Sequence, residues 1–321
     1  MILLSVVMVT VFLLSLFVGR YPEPGLIAPG RLLKDQLAFK LVLSLRLPRV
    51  LTALMLGMVL SCAGSVFQMI FANPLVEPGL LGVSQGAAFG AALGILFLNN
   101  VGWVVQALAA IFAVLGLGFS YFLAHKLRFG GWLLRLILSG IAVSAFFSAG
   151  IGILKFVADP LSELPEITFW LLGGLYGITW TEVRSVFPVV AAGLFILYRM
   201  RWRLNVLSLN DMTAFSLGIF PERERLFLLV CATGITAAVV SVSGIVAWVG
   251  LIVPHVSRRL LGADSRYSVP ASLLLGGSFA IICDDVSRTV LPGEIPIGIL
   301  TSLIGAVLFV IILSKPYVRL K

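Results

Sequence analysis

The sequence predicts an all-α integral membrane protein of about ten transmembrane helices with an internal inverted repeat, and three observations carry that reading. The first is composition. Of 321 residues, 60% are hydrophobic and 12% charged, and mean hydropathy is +1.11. A soluble domain lies nearer half apolar and a quarter charged. The second is a series of apolar segments that approach the roughly 20 residues a bilayer-crossing helix needs. The third is a recurrence. Val59, Ser61, Gly64, Val66, Pro74, Leu80, Leu81 and Gly82 return 180 positions later, without a gap, as Val239, Ser241, Gly244, Val246, Pro254, Leu260, Leu261 and Gly262.

The spans read as Ile2–Val18, Leu47–Phe71, Leu80–Leu98, Val101–Ala124, Leu133–Val157, Val183–Tyr198, Leu226–Ser243, Ile245–Leu261, Val269–Cys283 and Ile295–Leu313. The sixth, eighth and ninth are short, so their ends are open. The first copy of the recurrence begins in span two and the second in span seven. Five spans separate them, which makes the copies inverted. Spans two to five and seven to ten form the halves, and spans one and six are additions. In folds of this kind the pathway runs between the repeats. Nothing outside the membrane is long enough for a soluble domain, so residues 1–321 read as one transmembrane domain.

Span one has no charged start, and Ser15-Leu16-Phe17 is a poor cleavage site, so it reads as a retained helix rather than a signal peptide. With the amino terminus inside, the inner segments 72–79, 125–135, 199–225, 262–268 and the carboxyl tail, with their helix ends, hold 14 of the 23 basic residues and five of the 14 acids. Nine of each remain outside, so the whole net charge of +9 is internal, as the positive-inside rule expects. Both termini are then cytoplasmic. The outer segment 20–49 resists, because it carries Arg20, Arg31, Lys34, Lys40, Arg46 and Arg49.

Arg46-Leu47-Pro48-Arg49 opens span two, with proline suited to a first helical turn. Its arginines read either as interfacial anchors or as forks that grip the carboxylates of an acidic partner. In Asn73-Pro74-Leu75-Val76-Glu77-Pro78-Gly79-Leu80-Leu81-Gly82 the prolines and glycines make a tight cytoplasmic connection. Gly86, Gly90 and Gly94 form a helix-packing stripe on span three. Thr168–Ile178, with Gly173, Gly174 and Gly177, reads as a short membrane-entering turn or half-helix.

Within the long polar inner segment 199–225, Asp211 is placed to N-cap a short helix from Met212, and Gly218 to end it. Pro254 and His255 fall near the inner end of span eight. His255 lacks acidic or cysteine neighbours and reads as structural. Arg288 has a local option in Asp284 or Asp285. Glu294 precedes Pro296 and Gly298 and is placed to cap or brace the start of span ten. Cys62, Cys231 and Cys283 lack metal-ligand spacing and read as packing residues.

The chain has no Gly-x4-Gly-Lys-Ser/Thr loop, and none of its six lysines follows a glycine, so it holds no ATPase site of its own. It also lacks a catalytic constellation, which excludes a membrane enzyme. A secondary transporter, driven by protons or sodium, would need carboxylates deep in the membrane, and the predicted span centres hold none.

Taken in order, Arg46-Leu47-Pro48-Arg49, Asn73-Pro74-Leu75, Pro78-Gly79-Leu80-Leu81-Gly82, Gly250-Leu251-Ile252-Val253-Pro254-His255 and Glu294-Ile295-Pro296-Ile297-Gly298 resemble the permease family of type II ABC importers. These importers take up ferric siderophores, haem, cobalamin and related chelates, with molybdate-type oxyanions among their substrates. The resemblance implies a homodimer in a prokaryotic cytoplasmic (inner) membrane and two ATP-binding subunits on the cytoplasmic side. It also implies a substrate-binding protein outside. No cofactor is implied in this chain, with ATP and Mg held by the partner ATPase. The resemblance makes Arg46, Arg49 and Arg288 docking residues for the binding protein. It makes 204–225, with Asn210, Asp211, Ala214, Leu217 and Gly218, a pair of short coupling helices against the ATPase. An iron chelate is the substrate class it favours.

Overall fold

The computed structural model describes residues 1–21, 25–27, 35–98, 100–291 and 293–314. Arg31, Lys34, Lys315, Arg319 and Lys321 of the charge tally lie outside the described residues. Helix α1 (Ile2–Phe17) is followed by a two-residue antiparallel pairing of β1 (Val18–Gly19) with β2 (Gly25–Leu26). Helix α2 (Gln36–Leu41) starts where the Asp35 carboxylate accepts from the Leu37 and Ala38 N–H groups. It continues through a π-helical turn, Val42–Arg46, into α3 (Leu47–Ile70). The second span therefore begins earlier than expected. Pro48 cannot donate to the helical ladder, and the wider turn before it carries the chain past that gap.

The chain continues as α4 (Val83–Phe97), α5 (Gly102–Lys126), α6 (Trp132–Val157) and the short helix α7 (Glu163–Leu172). Then come α8 (Trp180–Leu207), α9 (Asp211–Ser216), α10 (Pro221–Ser243), α11 (Val249–Leu261), α12 (Ser265–Thr289) and α13 (Ile297–Ser314). Among the described residues, six helical stretches are long and apolar enough to cross a membrane, and α1, α4 and α13 are shorter apolar helices.

The open span ends have physical explanations. Helix α8 outruns its apolar stretch at both ends. A capping box of Thr179 and Glu182 starts it, and its last turns carry Arg199, Arg201 and Arg203 beyond the apolar belt. Helix α12 extends because Asp264 caps one end and the charged residues at the other end find partners. Helix α11 is shorter than expected. Residues 244–248 are not helical, and Trp248 at its N-cap has φ +73°.

The two halves repeat one order of elements: long, short, long, long. Their helix starts are displaced by 174 (Leu47 to Pro221), 166 (Val83 to Val249), 163 (Gly102 to Ser265) and 165 (Trp132 to Ile297) positions. The recurrence at 180 positions is thus not the structural register. Gly64 lies inside α3, whereas Gly244 lies in the break before α11. In the structural register Gly82 answers to Trp248. Both hold a left-handed N-cap conformation before a short helix, at φ +81° and +73°.

Helix α3 is the centre of the bundle. In the continuous stretch α2–α3, 83% of the most apolar window is buried, against 28% for α8. Small residues bring its neighbours close. A Cβ on Gly57 would overlap the Gly276 carbonyl of α12, and one on Gly64 would overlap the Gly250 carbonyl of α11. Ser61 Oγ donates to the Ser272 carbonyl at 2.8 Å. Gln68 Nε2 donates to the carbonyls of Gly250 and Leu251 at 3.2 and 3.1 Å. The stripe of Gly86, Gly90 and Gly94 packs on the α5 backbone at Phe112, Leu108 and Val105, as its spacing predicts. In lipid, where apolar surfaces gain little by meeting one another, such backbone approach and interhelical hydrogen bonding hold helices together.

Candidate functional site

At the end of the bundle that the sequence expects to be outer, a charge network joins α1, α3, α12 and the turn before α13. Asp284, near the outer end of α12, is buried with its side chain 1% exposed, and Arg49 of α3 meets it with Nε at 2.9 Å and Nη2 at 2.9 Å. The other edge of Arg49 donates from Nη1 to both Glu294 oxygens, at 2.8 and 2.9 Å. Arg288 pairs with Asp285 and lies 3.7 Å from Asp284. It also donates to the Ser15 carbonyl at 2.7 Å. Ser15 Oγ in turn donates to Asp285 at 2.6 Å.

Arg46 is buried and points at backbone. Its guanidinium reaches the carbonyls of Leu16, Phe17 and Tyr21 at 3.3, 3.1 and 3.4 Å. Gly19 leaves it room, since a Cβ there would overlap the guanidinium. Arg20 donates to the Thr289 carbonyl at 3.4 Å.

Of the basic residues that topology disfavours, Arg20, Arg46 and Arg49 thus have internal acceptors. The local option for Arg288 is the one the structure adopts. Sequence patterning identifies the arginines but misses Ser15 and the carbonyls at the end of α1, because nothing in a sequence shows which carbonyls a helix end leaves free. Glu294, just before the entry to α13, pairs with Arg49. Just beyond it, a Cβ on Gly298 would overlap the Leu172 carbonyl at the end of α7.

The connection after α3 corrects the expectation of a simple cytoplasmic turn. Asn73 Oδ1 accepts from the Leu75 N–H at 2.9 Å, an exposed bond that turns the chain around Pro74. Asn73 and Pro74 line an inner cleft with Asn205, Arg258 and Asp264. The chain then folds back between the helices. Pro78–Leu81 is a 3₁₀ turn, and a Cβ on Gly82 would press Val143 at mid-α6. Glu77, counted among the cytoplasmic acids, lines a cavity of about 280 Å³ with Leu60, Ser84, Gln85, Ser144, Thr236 and Ala247. These residues belong to the middles of α3, α6 and α10, to the start of α4 and to the break before α11. One carboxylate therefore sits level with helix middles, where the sequence reading places none.

Pro254 is buried inside α11 and His255 is partly buried beside it. No cluster of three metal-ligating side chains occurs among the described residues. Cys62 and Cys283 are buried and Cys231 is half-buried, all as free thiols.

At the opposite end of the bundle, Asn210 and not Asp211 is the N-cap of α9, with its Oδ1 accepting from the Thr213 N–H at 2.9 Å. Asp211 is released from capping because Arg225 takes it, at 2.7 Å. Residues 204–207 complete α8, so the segment 204–225 holds one separate short helix and not two. Ala214 is buried beneath α9, and Gly218 ends the turn at φ +79°, where a Cβ would meet open space. Met212, Phe215, Leu217 and Phe220 are exposed apolar side chains around it.

An all-helical bundle of long apolar helices interrupted by short ones, with a small apolar helix held out at the end opposite the charged rim, defines a multi-pass membrane transport subunit. The chain belongs to the FecCD transport family, whose model matches residues 7–315. Over 275 residues it is 40% identical to a permease protein of an iron chelatin transport system from Helicobacter pylori, covering 86% of this chain and 82% of that protein. Over 320 residues it is 37% identical to the molybdate import system permease protein MolB of Haemophilus influenzae, covering 97% and 94%. A solved inward-facing structure of a metal-chelate type ABC transporter superposes with a TM-score of 0.90 at 36% identity, covering 98% of each chain.

Proposed function

We propose that this chain is the permease subunit of an ATP-driven importer of a metal chelate, with an iron chelate as the favoured cargo. The match to a metal-chelate transporter along 98% of the chain is the observation that carries this reading. Relatives that import molybdate or cobalamin keep those substrates in view. The permease works as a homodimer of single-domain protomers, each with ten spans and both termini cytoplasmic, in a prokaryotic inner membrane. The repeated element order and the opposed packing of α3 and α12 support an inverted repeat of spans two to five and seven to ten.

The chain holds no cofactor and hydrolyses nothing. ATP and Mg act on two partner subunits, whose contact is α9 with Asn210, Asp211, Ala214, Leu217 and Gly218. The exposed apolar side chains of that helix support this contact, because an isolated six-residue helix has no other reason to present Met212 and Phe215 to water. Movement of the partners on ATP binding and hydrolysis would pass through α9 to α8 and α10 and alternate the two gates. Asn73, Pro74, Pro78, Gly82, Pro254, His255, Pro296 and Gly298 shape the non-helical breaks and helix entries that such a motion bends.

On the outer side a substrate-binding protein docks at the rim formed by Arg46, Arg49 and Arg288. Arg49 is the member best placed for a direct contact, because one of its partners faces solvent. Reconstitution tests the whole reading. The chain co-assembled with its ATPase subunits and supplied with its binding protein should import ferric chelate only with ATP. Transport by the chain alone on an ion gradient would refute it.

A further inference from the structure

We propose that Glu294 is an internal placeholder on Arg49, occupying the position that an acidic side chain of the binding protein takes on docking, so that docking exchanges one carboxylate for another. The proposal rests on the docking role of Arg49 given above.

The two edges of the Arg49 guanidinium are not equivalent. The Nε and Nη2 edge faces Asp284, whose side chain is 1% exposed. Pulling Asp284 away would strand a carboxylate in the protein interior, a costly event. The Nη1 edge faces Glu294, whose side chain is 37% exposed. A carboxylate already partly hydrated can swing into water at little cost, because solvent-facing ion pairs are weak. An incoming acid therefore has one route to Arg49, through the place that Glu294 fills.

The other two arginines offer no such route. Arg46 is held by three backbone carbonyls, which cannot swing aside. Arg288 is buried against Ser15, Asp284 and Asp285. The backbone beside Glu294 is also fixed. The Ile295 N–H donates to the Ser287 carbonyl at 3.1 Å, and Ser287 Oγ donates to the Ile295 carbonyl at 2.5 Å. Exchange thus needs only a side-chain rotation at Glu294, with the entry to α13 left in place.

The placeholder makes a prediction of unusual sign: removing it should strengthen docking. In the permease–ATPase complex in lipid nanodiscs, at low salt, Glu294→Gln should tighten binding of the transporter's own substrate-binding protein by roughly two- to fivefold, the value of one solvent-facing ion pair. Glu294→Asp, too short to reach Nη1, should also tighten it. The gain should vanish when Arg49→Ala is present. Independently of the binding protein, phenylglyoxal should modify Arg49 faster in Glu294→Gln, with Arg46 and Arg288 still protected.

If Arg49→Ala weakens docking but both Glu294 variants bind as well as or worse than wild type, Glu294 is a brace only. The exchange is then overturned while the docking role stands. Unchanged phenylglyoxal reactivity of Arg49 in Glu294→Gln overturns the exchange as well. If Arg49→Ala leaves docking unchanged, the docking role of Arg49 itself fails, and the exchange with it.

Discussion

Asp284 and Glu294 hold the same guanidinium, yet they should differ sharply in what their loss does to stability. Asp284 is all but inaccessible; both its oxygens accept from Arg49 Nε, Nη2 lies 2.9 Å from Oδ1, and Arg288 is 3.7 Å away. Removing one partner of such a buried pair leaves an uncompensated interior charge and costs about 3–5 kcal/mol. Asparagine keeps one acceptor for Arg49, so Asp284→Asn should fall near the low end, about 3 kcal/mol. That is roughly a hundredfold rise in the unfolded fraction. Glu294 is more than a third exposed, and solvent screening reduces its pair with Arg49 to about 0.2–1 kcal/mol.

The assay is unfolding of the purified chain in micelles of fixed composition, titrated with SDS, for both single variants. Replacing both members of the buried pair, as Arg49→Met with Asp284→Leu, should recover part of the loss, because no stranded charge remains. Equal losses in Asp284→Asn and Glu294→Gln would refute the assignment of a dry and a wet side to Arg49.

Three further outcomes follow from other parts of the structure. Gly218→Val should cost about 1–2 kcal/mol through its left-handed backbone and should uncouple ATP hydrolysis from uptake in the assembled transporter. Hydrolysis that stays coupled would detach α9 from the ATPase contact. Gly57→Leu should overpack α3 against α12, cost about 1–3 kcal/mol, and lower the thermal midpoint in detergent. An unchanged midpoint would mean the two backbones are not in contact. The Arg266 backbone N–H, then the Asn205 side chain, hold the Asp264 carboxyl below its usual value. A depressed folded value means its stabilising effect is complete above the unfolded value and fades as pH falls through the folded one. Protection factors at the start of α12, taken relative to the intrinsic exchange rate at each pH, should therefore fall on acidification, and Asp264→Ala should remove that dependence.

Long apolar helices are legible because their signal is local. Hydropathy alone places α1, α3, α5 and α6 to within a few residues. Small-residue spacing locates the α4–α5 contact, since glycines four apart can only line one face. What stays hidden depends on residues distant in the chain. The helix break at 244–248 is set by a left-handed tryptophan, and no propensity marks that residue as a left-handed N-cap. The inward fold of Glu77 is set by what surrounds it, and its flanking prolines look the same in a surface turn. The internal repeat misleads about register, because identity collects at glycine, proline and leucine wherever these are common. The basic outer segment shows its charge but not its acceptors, many of which are backbone carbonyls.

The rim also bears on the order in which the protein can be made. Ser15 belongs to α1, and the Asp285 and Arg288 groups that join it follow 270 and 273 residues later. Arg46 can settle early, on carbonyls from α1 already in the membrane. Arg49 must wait, near the bilayer surface, until α12 delivers Asp284. That end of the bundle therefore cannot close before α12 is made, and a chain that stops short of α12 would leave Arg49 without its buried partner. The first helix, outside the repeated halves, thus becomes the site on which the last part of assembly is registered.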